Sequence, residues 1–265
     1  MAFKHITSRD NAVFKHLKKL ADNARERRKE SLTLLDGVHL IEAYLQVFGE
    51  PQLLIIPEGQ SSLEATQLTQ QLQDVNTVMF PTLMFAELTP VASSTGVLAL
   101  VGIPTLALPT QIDFALMLED IQDPGNMGSM LRTAAAAGVQ VVYLSKGCTD
   151  AWSPKALRGG QGAQLVLPII EHADLTTELA QFSGVSYATV MQGESLYAQQ
   201  FTQPSVFVLG NEGAGLSQAV LSAVNKQVTI PMTGDGSLAV ESLNAAAAAA
   251  ICCFEYRRQQ LCKPE

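Results

Sequence analysis

The sequence predicts an α/β protein of two domains, the larger built on a mostly parallel sheet with helices on both faces. Three observations carry this. From residue 112 onward, short apolar runs alternate with helical patterns, as strand–helix repetition requires. Ahead of that lies a smaller mixed unit, and residues 103–110 between them hold Pro104 and Pro109 without any periodic pattern. The chain of 265 residues is 47% hydrophobic and 16% charged, enough apolar material for real cores. A disordered tail, a collagen-like fibre and a disulfide-stapled miniprotein are excluded.

Ser8 reads as the N-cap of a first helix in which Val13, Leu17 and Leu20 recur at i, i+4 and i+7. Residues 38–48 form a second amphipathic helix, and the leucines of the Gln-rich stretch 63–72 keep helical spacing. Short strands are expected at 53–56, 77–80 and 97–101. The larger domain opens with 114–118, an unbroken apolar run suited to a buried parallel strand. Helix 129–137, strands 139–144 and 165–170, and helix 175–182 follow. Strands 185–191 and 206–209, helix 217–224, strand 227–230 and a closing helix over about 241–260 complete it. The expected boundaries are 1–103 for the first domain, 104–111 for the linker and 112–265 for the second domain.

No apolar run approaches the length of a membrane span. The first residues are polar and basic, lacking the apolar core of a secretory signal, and Asp10 and the excess of Lys over Arg disfavour a mitochondrial presequence. The expectation is a cytoplasmic chain with no membrane partner. Cys148, Cys252, Cys253 and Cys262 contain no C-x-x-C pair, and His5, His16, His39 and His172 are scattered. Reduced, mostly buried thiols and no metal site are expected.

Net charge is −8, which disfavours a protein that coats nucleic acid everywhere. Its distribution is uneven. Nine of the seventeen Lys and Arg residues fall within 1–29, namely Lys4, Arg9, Lys15, Lys18, Lys19, Arg25, Arg27, Arg28 and Lys29. Only Asp10, Asp22 and Glu26 oppose them, a local net charge of +6, and no further Lys or Arg occurs before Arg132. A basic pole on an acidic body fits a local polyanion contact. It equally fits a solvated helix whose charges keep it soluble.

In parallel sheets, ligands bind beyond the carboxyl ends of the strands, and three strand exits concentrate glycine and polar residues. The first, residues 119–128, runs Glu-Asp-Ile-Gln-Asp-Pro-Gly-Asn-Met-Gly and opens a helix bearing Arg132. The second, 209–217, runs Leu-Gly-Asn-Glu-Gly-Ala-Gly-Leu-Ser. It lacks the Lys-Ser/Thr of a phosphate-binding loop, and Glu212 would repel phosphates, so ATP and NAD are disfavoured. The third, 230–237, leads to Glu241-Ser242-Leu243-Asn244 at the start of the last helix. Ser242 and Asn244 fit an N-cap and its neighbour, and they also fit a polar site.

In this order the three loops resemble the SpoU/TrmH family of RNA ribose 2′-O-methyltransferases, within the SPOUT superfamily. The N-x-G-x-x-x-R motif is present as Asn126, Gly128 and Arg132; G-x-E-x-x-G-L-S as Gly210, Glu212, Gly215, Leu216 and Ser217. The I-P-M-x-G and S-L-N elements are present as Ile230, Pro231, Met232, Gly234, Ser242, Leu243 and Asn244. Pro154, Lys155, Arg158, Gly162 and Ala163 resemble the family's P-K…R-x-x-x-G-A segment. The likeness spans about 112–262. It implies a trefoil-knotted, Rossmann-like catalytic domain and, more weakly, a first domain similar to ribosomal protein L30e that grips RNA.

By this resemblance the cofactor is S-adenosylmethionine (SAM), held around Met191, Gln192, Gly210, Ile230, Met232 and Leu243. The substrate is a ribose 2′-hydroxyl of structured RNA, with 23S rRNA favoured by the extra domain. Arg132, Asn126, Glu212, Ser242 and Asn244 form the catalytic set, in which Arg132 clamps the neighbouring phosphate. Arg9, Lys15, Lys18, Lys19, Arg25, Arg27, Arg28, Lys155 and Arg158 are the expected RNA contacts. A homodimer through the last helix is also implied. Two departures stand out: the link from Gly234 to Ser242 is a few residues longer than the family's, and Gly160 replaces a small hydroxyl residue. A tRNA methyltransferase, a catalytically silent RNA-binding or ribosome-assembly factor, and a nucleotide-dependent metabolic enzyme are the competing readings.

Overall fold

A computed structural model describes residues 3–59, 61–89, 94–233 and 242–262. The chain divides into two compact units, Met1–Thr105 with Asp150–Leu165, and Leu106–Thr149 with Val166–Glu265. The first boundary falls within the expected linker. The second was not foreseen: residues 150–165, expected to belong with the larger domain, fold into the first unit.

The first unit is a five-stranded sheet of order β1-β4-β3-β5-β2. Its strands are β1 (Lys4–His5), β2 (Leu32–Asp36), β3 (Leu53–Pro57), β4 (Thr77–Phe80) and β5 (Leu98–Gly102). Strand β5 runs antiparallel to both β2 and β3, whereas β3 and β4 are parallel. Helix α1 (Ala12–Asp22) is capped by Asn11, whose side chain accepts from the Val13 N–H, rather than by Ser8. Its buried face is Phe14, Leu17 and Leu20, which join Leu34, Ile55, Phe80 and Leu98 in one core cluster. Burying each such side chain contributes about 1.5–3 kcal/mol. A short helix, α2 (Ala24–Glu30), follows directly, and α3 (Val38–Phe48), α4 (Leu63–Gln71) and α5 (Thr82–Ala86) complete residues 1–105.

The second unit is a six-stranded parallel sheet of order β11-β9-β10-β6-β7-β8. Its strands are β6 (Phe114–Leu118), β7 (Val141–Leu144), β8 (Ile169–Ile170), β9 (Val185–Ser195), β10 (Ser205–Leu209) and β11 (Lys226–Thr229). Succession moves outward from β6 through β7 to β8, then resumes on the other side with β9, β10 and β11. Strands β6 and β10 therefore flank the point where the order reverses, and their carboxyl ends open the crevice in which such sheets bind ligands. Both are buried along their whole length, as their unbroken apolar runs demand.

Three expectations need correction. Helix α6 (Pro124–Ala137) starts five residues before the predicted 129, because Asp123 caps it and Pro124 takes the first turn. Asn126 and Gly128 thus lie in the helix and not in the preceding loop. The same device of a capping side chain followed by proline, here Ser153 and Pro154, starts α7 (Pro154–Gly160) in the first unit, a helix the periodicity did not reveal. The strand expected over 165–170 shrinks to β8, since Ala163–Leu165 forms a 3-10 turn and Pro168 has no N–H for a ladder. Helices α8 (Leu175–Gln181) and α9 (Gln218–Ala223) follow the reading, and α10 (Ala245–Leu261) starts a few residues after the expected 241, with Asn244 as its cap. The long Gly234–Ser242 link falls largely outside the described residues.

Candidate active site

Asn126, Glu212 and Asn244 come from three motifs spread over more than a hundred residues, and the second unit brings them together. The first turn of α6 carries Asn126, the loop after β10 carries Glu212, and Asn244 caps α10. Asn126 Nδ2 donates to Glu212 Oε1, as does Asn244 Nδ2 at 3.0 Å. Asn244 Nδ2 also reaches Asn126 Oδ1 at 3.2 Å, and the Ala245 N–H lies 3.4 Å from Glu212 Oε1. One carboxylate oxygen thus gathers two side-chain amides and a helix-terminal N–H, where the dipole of a 17-residue helix favours negative charge. Asn244 fills both roles that its position allowed, because its Oδ1 simultaneously accepts from Ala246 N at 2.9 Å and Ala247 N at 3.3 Å.

Beside this cluster lies a cavity of about 500 Å³, within the range of small-molecule sites. Met191, Gly210, Ile230, Met232 and Leu243 of the expected cofactor set line it, with Ser242 and Glu212 of the catalytic set. Gln192 does not line it. Strand β9 explains why: its pairing with β11 jumps from Ala188 to Glu194, so residues 189–193 bulge out of the ladder. Thr229 Oγ1 fixes the bulge through Met191 O at 3.2 Å. Gly193 packs so closely that a Cβ would stand 2.7 Å from Gln227 O. Gly210 is equally constrained, since a Cβ there would overlap the Gly215 carbonyl. Beneath Thr189, burial pushes the Cys252 thiol up to about 11, and Cys253 is likewise buried; Cys148 is half-buried and Cys262 exposed.

No Lys or Arg lines the cavity among its described residues. A polyphosphate would find no cation there, and Glu212 would oppose it. The wall combines backbone that a ligand can approach closely, at Gly210, with the exposed apolar side chains of Met191, Met232 and Leu243. Such a lining fits an uncharged heterocycle carrying a cationic group, which is the chemistry of SAM.

Arg132 stands six residues beyond Asn126 on α6, about 9 Å along the helix axis. It is exposed and makes no hydrogen bond or ion pair among the described residues. The structure does not bond it to the Asn126–Glu212–Asn244 cluster. Two residues outside the expected set do shape the site, Glu119 and Asn211, both bonding across the two glycine-rich loops. They were visible as loop residues, but only the folded geometry shows that they face each other's loop. No group of three or more His, Cys, Asp or Glu that could hold a metal ion occurs among the described residues.

The expected RNA contacts, in the first unit, separate into distinct groups. Arg27 is a correction: it is buried, and Nε and Nη2 bind Asp150 Oδ2 at 2.7 and 2.6 Å. Its Nη1 donates to the carbonyls of Leu20 and Ala21 at the end of α1. The guanidinium has no face left for a phosphate. Arg9 pairs with Glu87, Lys15 with Asp10 and Lys18 with Asp22. Lys19, Arg25 and Arg28 are exposed, with no side-chain bond among the described residues. Lys155 is exposed and Arg158 half-buried on α7. Gly160 has a packing role: a Cβ would overlap Gln164 Oε1, a buried atom without a hydrogen-bond partner among the described residues.

The SpoU rRNA Methylase family matches residues 113–254, from β6 into α10. An uncharacterised tRNA/rRNA methyltransferase of Synechocystis sp. is 34% identical over 96% of this chain and 94% of its own. The 23S rRNA (guanosine(2553)-2′-O)-methyltransferase RlmP of Bacillus subtilis is 32% identical over 96% and 99%. Among solved structures, the SpoU methyltransferase AviRb of Streptomyces viridochromogenes, in complex with the cofactor AdoMet, matches with a TM-score of 0.83. That match has 26% identity and covers 96% of this chain and all of the other. With a match running through every strand of the second unit, and relatives a third identical over nearly their whole lengths, the chain belongs to the SpoU rRNA Methylase family.

Proposed function

We propose that the chain transfers the methyl group of SAM to a ribose 2′-hydroxyl of 23S rRNA. The observation that carries the reading is the convergence of Asn126, Glu212 and Asn244 beside a cavity free of cationic lining. When bound, SAM supplies an electrophilic methyl on a sulfonium that leaves without a metal. Residues 189–191, 210–216, 230, 232 and 243 hold it by backbone and apolar contact. Glu212, with one oxygen gripped by three donors, locks the N-terminal ends of α6 and α10 together and fixes the polar edge of the cavity. Ser242 adds a hydroxyl to that edge.

Arg132 is permanently charged and cannot take the hydroxyl proton. It grips the phosphate next to the reacting nucleotide and aligns the 2′-oxygen, with the phosphate assisting proton loss. That it makes no hydrogen bond or ion pair among the described residues supports this role, because the guanidinium is not committed to any of them. In the first unit, read as an L30e-like RNA-binding domain, Lys19, Arg25 and Arg28 contact the RNA backbone, and Lys155 and Arg158 on α7 are further RNA contacts. The reading includes a trefoil knot in the C-terminal segment, a cytoplasmic setting and a homodimer through α10. Phe254 supports the dimer, being half-exposed on a helix whose Ala249, Cys252 and Cys253 face inward.

The test is tritium transfer from labelled SAM into total RNA of a strain lacking the gene, with Arg132→Ala alongside. Label is expected at a ribose of rRNA, reduced about 100-fold or more in the variant, with an unchanged melting temperature. Near-normal transfer by Arg132→Ala would remove Arg132 from the mechanism. Label in tRNA alone would move the substrate. Absence of label in any RNA, from folded protein that binds SAM, would favour a silent assembly factor.

A further inference from the structure

Residues 210–216 form one long wall of the cavity, yet none of them is buried: Glu212, Gly213, Ala214 and Gly215 are exposed and Gly210, Asn211 and Leu216 half-buried. Of their side chains only Leu216 packs against the core of the second unit. A glycine-rich loop with so little apolar anchoring has large backbone freedom to lose when it closes on a ligand. Glu212 ties its middle to α6 and α10, and two further side chains, one at each end, fasten it to the exit of β6. At the start, Asn211 Nδ2 donates to Asp120 O at 2.9 Å, while its Oδ1 accepts from Gly213 N at 2.8 Å and Ala214 N at 3.2 Å. At the far end, Glu119 Oε2 accepts the Ser217 N–H and Oε1 accepts the Ser217 hydroxyl, both at 2.7 Å.

The platform that holds these staples is itself fixed. Glu119 N donates to Leu209 O at 2.9 Å. Asp120 sits in the left-handed region at φ 54°, a conformation Asp tolerates better than most residues. Its N–H donates to Ser145 Oγ at 2.9 Å, and that hydroxyl donates back to Asp120 Oδ1 at 2.6 Å. Glu119 does not line the cavity. Its two bonds to Ser217 are charge-assisted, the stronger kind, and they act on the loop from outside.

We infer that Glu119 is a positioning residue for the cofactor, holding the 210–217 loop in its ligand-ready shape without touching the ligand. The inference rests on the assignment of this cavity to SAM. Where only part of the population has the competent loop, apparent affinity falls by that fraction, while chemistry in the bound state is preserved. Loss of Glu119 therefore weakens SAM binding and leaves turnover at saturation intact.

Calorimetric titration of the full chain with SAM, and steady-state transfer to rRNA at varied SAM, separate the outcomes. Glu119→Ala is expected to raise Kd and KM for SAM about tenfold, with kcat within about twofold of the parent. KM for RNA and the melting temperature stay unchanged. Glu119→Gln is expected to recover most of the affinity, since its amide oxygen accepts the Ser217 N–H and its NH₂ donates to the hydroxyl. A wild-type Kd in Glu119→Ala overturns the inference, as does a lost kcat at unchanged Kd. So does a Gln variant as weak as the Ala variant, because hydrogen bonding would then not be the cause. If the parent chain binds no SAM, the functional reading fails and takes the inference with it; if the parent and Glu119→Ala bind equally well, only the inference fails.

Discussion

Arg27→Met is the most informative stability variant, because the structure assigns that side chain to the interior instead of to RNA. Arg27 and Asp150 are 4% and 5% exposed at their side chains. The substitution leaves the Asp150 carboxylate buried without its cation, still accepting from the Trp152 N–H at 2.9 Å. It also strips the Leu20 and Ala21 carbonyls of the donor that closes α1. Breaking a buried pair from one side costs about 3–5 kcal/mol, so about 4 kcal/mol is expected. For a chain of this size that lowers the melting temperature by roughly 10 °C. The double variant Arg27→Met/Asp150→Leu removes both charges and loses mainly the two carbonyl bonds, about 1–2 kcal/mol. Thermal and urea unfolding of the three chains measure this, and the double variant should be more stable than Arg27→Met alone. A loss under about 1 kcal/mol in Arg27→Met, or strictly additive losses, would refute the buried-pair reasoning. So would a fall of about one in the salt slope of RNA binding by Arg27→Met, which would mark a phosphate contact.

Three further outcomes are expected. Gly160→Ala should destabilise by about 1–3 kcal/mol, since Gln164 is fully buried and held by the Ala151 and Ala156 carbonyls; adding Gln164→Ala should make the combined loss less than additive in thermal melts. Asn244→Ala should lose about 1 kcal/mol of helix capping together with methyl transfer, whereas Asn244→Ser should recover the stability without the activity, because serine caps but does not span to Glu212. Replacing Lys19, Arg25 and Arg28 together by Ala should flatten the log–log salt dependence of RNA binding by about 2–3, read by filter binding, while Arg9→Ala, whose charge is already paired with Glu87, should change it little.

What the sequence revealed of the site follows from where its chemistry sits. The motif residues Asn126, Glu212 and Asn244 lie at strand exits and helix starts, where glycine, proline and capping residues are legible as local signals. Strands β6 and β10 announced themselves as unbroken apolar runs, and α3 follows the predicted 38–48 throughout. The reading failed where tertiary partners decide. Helix α7 is too short for periodicity to show, and its stability lies in a Ser153–Pro154 start and in packing within the first unit. The bulge at 189–193 leaves no mark in composition because it depends on β11 pairing with two separated parts of β9. Glu119 looked like a loop carboxylate because its partner, Ser217, is nearly a hundred residues away.

The basic segment shows why charge alone could not choose between a polyanion contact and a solubilising face. Arg27 and Arg28 are neighbours in sequence, yet successive residues of a helix point about 100° apart. On α2 this turns Arg27 inward to Asp150 and leaves Arg28 outside, on the face it shares with Arg25 three residues earlier. Arg9 and Lys15 are exposed as well and Lys18 is half-buried, but acids within reach already lower the field they present. A count of nine cations therefore overstates the electrostatic footprint. The cations without partners among the described residues define it better, and in the second unit Arg132 meets the same criterion, as do Lys146 and Arg257; what sets Arg132 apart is its place on α6 near the Asn126–Glu212–Asn244 cluster. A guanidinium kept solvated and, among the described residues, unpaired six residues beyond the Asn126–Glu212–Asn244 cluster takes no part in holding the described fold, which is why its removal should affect the reaction and spare the fold.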